Sequence, residues 1–242
     1  MVATPKKMIS VLPLENGDRL SRCEFERRYQ AMPHLRKAEL VEGVVYIMAS
    51  PLRIKSHGEP HGNLIGWLWN YKTATPGLVL GIEPTVRLDP DNEPQPDAVL
   101  FIPGRQALIS EDDYIQGAPE LVIEVAASSA AIDLHDKKRT YRRNGVQEYI
   151  VWRTLDNQLD WFRLQADEYV SLPTDEQGII RSQVFPGLWL PVPALLSGEM
   201  ATVLSVLQAG LAATEHEEFM QKLNENNSLL PTPLPIQPNP EQ

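Results

Sequence analysis

ELVIEVAA, residues 120–127, is almost unbrokenly apolar. Such a run suits a central strand covered on both faces of a sheet. Side chains alternate along a strand, so Leu121, Ile123 and Val125 face one way, and Val122, Glu124 and Ala126 the other. A carboxylate at mid-strand costs on the order of several kcal/mol unless it is paired or binds a cation. The plainer alternative is a structural ion pair, for instance with an arginine of the following helix.

Upstream, Pro96-Asp97 opens a second apolar run, DAVLFI (97–102), and 26 residues separate Asp97 from Glu124. Adjacent strands can bring an aspartate at the start of one beside a glutamate in the other. Two anions held that close require a divalent cation or a shared proton. Taken alone, Pro-Asp at a strand entrance is also a common turn device. Downstream, DLHDKKRTYRRN (133–144) reads as a helix with an aspartate at its start and Gly145 in the C-cap place. Lys137 lies one helical turn before Tyr141, near the end of the loop leaving Glu124. A lysine there can orient a metal-bound water or stabilise charge developing on a phosphate; a lone lysine is also at home on a solvated face. Five of the seven positions from Lys137 to Arg143 are basic. Lys138, Arg139, Arg142 and Arg143 are thus the local candidates for contact with nucleic-acid phosphates.

The rest of the chain follows the same alternation of helix and strand. A short helix is expected from Ser21 to Pro33, and AELVEG with VVYIMAS reads as two strands around a turn at Glu42-Gly43. His57 to Tyr71 has helical spacing, Leu78 to Ile82 and Thr85 to Leu88 are strands, and EYIVW and LDWFRL are two more. Hairpins come first and then strands around a helix, which makes the class α/β or α+β with a mixed sheet flanked by helices. HGEPH (57–61) places two imidazoles four residues apart, with Pro60 between them and no third ligand apparent in the sequence. It reads as a helix entrance near the cleft, with His57 a minor contributor. The tryptophans Trp67, Trp69, Trp152, Trp161 and Trp189 are expected in the core, and Glu111-Asp112-Asp113 in a solvated loop. Gly198 to Leu223 carries two helical patterns, read as a short appendage packed on the main body and a plausible interface for a homodimer. The boundaries expected are an N-terminal extension (1–20), the main domain (21–196), the helical appendage (197–224) and a disordered proline-rich tail (225–242).

Composition bounds the function. The chain has 242 residues, with Lys+Arg 22 against Asp+Glu 32 and a net charge of −10. An acidic body attracts metal cations readily and nucleic acid only where basic residues gather. No apolar run is long enough to span a membrane. A single cysteine, Cys23, rules out an internal disulfide or thiolate zinc site and points to a reducing, cytoplasmic setting.

The ordered set Pro96-Asp97, Glu124-Val125, Asp133, Lys137, Tyr141, Gly145-Val146 and Glu148-Tyr149 resembles the Uma2 family of endonucleases, which is placed in the PD-(D/E)xK, restriction-endonuclease-like superfamily. Glu39-Leu40-Val41-Glu42-Gly43 is similar to that family's opening segment, and Ser50-Pro51 followed by His57 to its Ser-Pro…His segment. The resemblance covers about Ser21 to Pro191. It implies a restriction-endonuclease-like sheet and one divalent ion, Mg²⁺ or Mn²⁺, held by Asp97, Glu124 and the Val125 backbone carbonyl. It further implies Lys137 as catalytic lysine, Glu39 as an accessory acid, and DNA as substrate, with no small-molecule cofactor. The superfamily pattern wants a lysine two residues after the strand glutamate, where this chain has Ala126. In Uma2-like chains the following helix supplies it, leaving a choice between Lys137 and Lys138, with the step to Tyr141 favouring Lys137. The competing reading is a catalytically inactive descendant kept as a binding or assembly module, toward which the acidic charge, Ala126 and the proline-rich tail lean. A sugar- or acyl-processing carboxylate pair ranks last, since no nucleophile elbow accompanies it.

Overall fold

A computed structural model describes residues 11–48 and 53–228. In chain order its strands are β1 (Ala38–Val41), β2 (Val44–Ile47), β3 (Val79–Ile82), β4 (Val86–Arg87), β5 (Ala98–Phe101), β6 (Ala107–Ile109), β7 (Ile115–Gly117), β8 (Leu121–Ala126), β9 (Glu148–Arg153), β10 (Gln158–Gln165), β11 (Glu168–Ser171), β12 (Ile179–Arg181) and β13 (Trp189–Pro191). The helices are α1 (Arg22–Gln30), α2 (Glu59–Ala74), α3 (Ala130–Ile132), α4 (Lys138–Arg143), α5 (Val192–Leu196), α6 (Met200–Leu211) and α7 (Thr214–Ser228). Two wide π-helical turns, Ile54–Gly58 and Asp133–Lys137, lead into α2 and α4.

The main sheet has six strands in the order β11-β10-β9-β8-β5-β3. Only β8 and β9 run parallel; the other neighbours are antiparallel. A parallel pair needs a crossover, and here it is the helical segment from Ala130 to Arg143. The expected α+β class with a mixed sheet is therefore the fold observed. All six residues of β8 are buried, as its apolar run requires. Leu121, Ile123 and Val125 face a large core with Leu64, Trp67 and Leu68 of α2. Val122 and Ala126 face the opposite core, with Tyr141 of the crossover and Tyr149 of β9. The alternation expected of the strand is the one found.

A third, smaller core forms where α1 meets the β1–β2 hairpin, around Phe25, Leu40 and Val45. The turn between these strands needs two consecutive left-handed residues, supplied by Glu42 (φ 53°) and Gly43 (φ 71°). A bridge between Leu40 and Glu93 ties the hairpin to the segment that runs into β5. This docking brings Glu39 toward the main sheet.

Several boundaries differ from the sequence reading. The crossover helix begins at Ala130 rather than Asp133, so Asp133 is not a cap but a buried residue of the wide turn. His57 likewise lies in the wide turn before α2, with Pro60, which has no N–H to donate, just beyond it. The C-terminal helices pack on the main body, and deeply: Val203, Leu207, Phe219 and Leu223 belong to the same core as Leu121. α7 extends to Ser228, into the stretch read as tail, because the first proline of that stretch comes at 231. Ser50-Pro51 and residues 229–242 lie outside the described residues. Trp69 is exposed, with Lys72 over its ring, while Trp67, Trp152 and Trp161 are buried as expected and Trp189 is half-buried. Asp112 of the acidic loop pairs with Arg87.

Candidate functional site

The register that pairs Ala98 with Ile123, extended by one residue, sets Asp97 level with Glu124. Asp97 Oδ2 accepts the Val125 N–H at 2.6 Å, so this aspartate caps the end of the β5–β8 ladder. Its other oxygen, Oδ1, lies 3.5 Å from His57 Nε2. The opposite nitrogen of that ring, Nδ1, meets the Val125 carbonyl at 3.1 Å. Asp97, Val125 and His57 thus form one connected group, beside Glu124.

Glu124 points into the crossover. Its Oε1 accepts from Lys137 Nζ at 3.0 Å and from the Tyr141 hydroxyl at 2.9 Å. Lys137 also donates to Glu39 at 3.0 Å, and Asp133 Oδ1 is 3.6 Å from its ammonium. Glu39 accepts a further hydrogen bond from the Gln95 backbone N–H at 2.7 Å. Three elements distant in sequence therefore meet at one ammonium: β1, β8 and the crossover. The wide turn makes this possible, because it presents both Asp133 and Lys137 inward and keeps the next turn in phase for Tyr141. Wide turns of this kind are frequent at functional sites.

Burial gives the cluster its electrostatic character. Glu39, Asp97, Glu124, Asp133 and Lys137 are each between 1 and 4% exposed. Four carboxyls against one ammonium leave a formal excess of three negative charges. Burial holds the Glu124 carboxyl well above the ordinary carboxylate range; Lys137 opposes this, while Asp133, Asp97 and Glu39 add to it. Burial raises Asp133 too, again against Lys137. For Lys137, burial acts to depress the pKa, but Glu124, Glu39 and Asp133 outweigh it and hold the ammonium well above its usual value. Lys137 is charged, and the acids around it call for a proton or another cation. Tyr141 is held protonated by burial and by Glu124, which keeps it a donor.

The donor set suits a hard divalent ion. Each of the two carboxylates has one oxygen pinned by protein donors: Oδ2 of Asp97 by a backbone N–H and Oε1 of Glu124 by Lys137 and Tyr141. The second oxygens, like the Val125 carbonyl, are hard oxygen donors of the kind Mg²⁺ takes. His57 stands over two of those oxygens and would share or yield them.

Of the residues predicted from sequence, Asp97, Glu124, Lys137, Glu39, Val125 and His57 come together. Lys138 does not: its ammonium sits 3.4 Å from the centroid of the Phe162 ring, outside the cluster. The basic face is not a free positive surface either. Arg139 pairs with Glu42 and Asp136, Arg142 with Glu168, and Arg143 with Glu42 and Asp89. Exposed cations outside the ion pairs are scattered among the described residues, at Arg19, Arg36, Arg105 and Lys222 as well as at Arg53 and Lys55, the last two at the turn that carries His57. Asp133 and Tyr141 are members of the cluster that sequence reasoning used only as landmarks. Their spacing from Lys137, four residues on either side, was the available signal.

No curated protein matches the chain. In the search of solved structures, the fold matches a crystal structure described as "a putative nuclease belonging to DUF820" from Anabaena variabilis ATCC 29413, with 16% sequence identity and a TM-score of 0.54. The match covers 71% of this chain and 96% of that one. At that identity the likeness speaks for the fold. A family model described as "Uma2: Putative restriction endonuclease" matches residues 23–193, a span that holds every residue of the cluster, and the chain belongs to the Uma2 family.

Proposed function

We propose that the protein is a metal-dependent endonuclease of the PD-(D/E)xK type that hydrolyses phosphodiester bonds of DNA. The observation that carries this reading is the buried meeting of Asp97, Glu124 and Lys137 with more acid than the lysine can balance. Asp97, Glu124 and the Val125 carbonyl would hold one divalent ion, Mg²⁺ or Mn²⁺. Such an ion, when bound, lowers the pKa of a water and withdraws charge from phosphorus. Tyr141 fixes the rotamer of Glu124 by donating to one of its oxygens, and the Val125 N–H does the same for Asp97. Glu39 holds the Lys137 side chain in place, so that its ammonium can donate to a phosphate oxygen as charge gathers there. Arg53 and Lys55, on the turn that carries His57, would meet the nucleic-acid backbone.

A cytoplasmic setting fits the single, exposed Cys23, and no helix among the described residues is long and apolar enough to cross a membrane. The inactive binding module keeps one observation in its favour: the Lys137 ammonium is already bonded to both Glu39 and Glu124. Cleavage of plasmid DNA decides between the two. Asp97→Asn and Glu124→Gln are expected to reduce magnesium-dependent nicking to background. Full activity in either variant would refute the assignment.

A further inference from the structure

We infer that His57, His61 and Glu83 form a second cation site, for a nitrogen-seeking transition-metal ion such as Zn²⁺, at the edge of the carboxylate cluster. It goes beyond the nuclease reading and stands without it. One ligand atom from each of the three residues lies within 4.8 Å of the others. The two imidazole centroids are 5.6 Å apart. The sequence conceals this trio because Glu83 sits in the loop after β3, far along the chain from the histidine pair.

The hydrogen bonds prepare both rings. A carbonyl oxygen only accepts, so the ring nitrogen that meets one must carry the hydrogen. His57 Nδ1 lies 3.1 Å from the Val125 carbonyl, and His61 Nε2 lies 3.0 Å from that of Asp97. In the neutral rings this leaves lone pairs on Nε2 of His57 and Nδ1 of His61. Histidine ligands of metals are oriented in this way, by an N–H donated to a carbonyl or carboxylate behind them. The third arm is tied to the same point, since the Glu83 N–H donates to the Asp97 carbonyl at 3.0 Å. That peptide oxygen thus fixes both His61 and the backbone of Glu83. Glu83 itself is exposed, so its carboxylate can close on an ion without prior desolvation.

His57 adds an electrostatic argument. Its Nε2 is 3.5 Å from Asp97 Oδ1, which sets a lone pair beside a carboxylate oxygen unless a proton or a cation lies near. Two imidazoles and one carboxylate favour Zn²⁺ or Co²⁺ over Mg²⁺, and three protein ligands leave an open position for water or a phosphate oxygen.

Untagged full-length protein in excess Mg²⁺ should bind Co²⁺ with visible absorption bands and bind Zn²⁺ by calorimetry. His61→Gln and Glu83→Gln each remove a direct ligand, and should weaken Co²⁺ binding at least as much as losing an outer partner does, about 10–100-fold. Glu124→Gln should keep the Co²⁺ bands while losing its response to Mg²⁺, so this site and the nuclease reading fail separately. Should His61→Gln lose its fold by circular dichroism, Glu83→Gln, altered at an exposed loop position, decides alone. Wild-type protein without the bands, or equal Co²⁺ affinity in the folded variants, overturns the inference.

Discussion

Glu124 and Glu148 stand on neighbouring, parallel strands of one sheet, and both are buried. Burial pushes both carboxyls upward in pKa. Their surroundings are opposite. Glu148 faces the α2 side, where neutral donors serve both of its oxygens. The Ser182 hydroxyl and Trp161 Nε1 donate to Oε2, and the backbone N–H groups of Gln183 and Val184 donate to Oε1. Glu124 faces the crossover, where its donors crowd one oxygen and its neighbours are an ammonium and three further acids. A buried carboxylate saturated by neutral donors is a structural pin that fastens the 182–184 turn to the sheet. One set among other acids stays a problem that a cation solves. Depth in the core does not separate the two; the company does.

The largest expected effect is on this contrast itself. Glu124→Gln should reduce DNA cleavage to background yet change metal-free stability by only about 1 kcal/mol, the scale of one hydrogen bond, because it relieves like-charge repulsion while Lys137 keeps Glu39 and Asp133 as partners. Glu148→Ala should do the reverse to stability, costing about 3–5 kcal/mol in denaturant melts through the donors it leaves unpaired. Equal stability losses in the two variants would erase the distinction. Lys137→Met should lower cleavage about 10²–10³-fold, as expected for removing one donor aimed at developing charge, and Lys138→Met should leave the rate near wild type.

Magnesium sharpens the comparison next. At a hundred times its Kd, Mg²⁺ should stabilise the wild type by about 2.7 kcal/mol in thermal melts. Asp97→Asn should abolish that response; its persistence would move the ion elsewhere.

The smallest effect concerns a third buried carboxyl, Glu93. Burial, reinforced by Glu26, pushes its pKa from 4.5 up to about 8, against the pull of Arg87 and Arg22. Between those values the folded chain binds more proton than the unfolded chain, so stability falls as pH rises through the window. Wild-type protein should lose about 1–3 kcal/mol between pH 5 and pH 8.5, and Glu93→Gln should flatten that slope in denaturant titrations.

Much of the site could be read before the fold. Mid-strand placement marked Glu124, the strand-entrance position marked Asp97, and the step to Tyr141 favoured Lys137 over Lys138. These are local signals, resting on the period of a strand or a helix. What stayed hidden depends on contacts between distant segments. Nothing near Arg139, Arg142 and Arg143 announces Glu42, Asp89 or Glu168, which turn a basic run into a set of ion pairs. The C-terminal helices read as an appendage packed on the main body; amphipathic spacing does not say that they complete its largest core. The short strands β6, β7, β11, β12 and β13 are mostly three or four residues long, too few for a period to show. Asp133 reads as a cap because an aspartate heads the basic helical run, whereas the helical segment already starts after Ser129.

The wide turn at Asp133–Lys137 gives the crossover a tolerance to chain length that a regular helix lacks. A wide turn holds one peptide unit more than a regular α-helix would. Losing that unit would let the turn tighten to α geometry and leave Tyr141 and the residues beyond it in phase, whereas a deletion from a regular helix swings everything beyond it by about 100°. For relatives of this chain, the spacing between the strand glutamate and the helix lysine can therefore differ by one residue while the two side chains still meet.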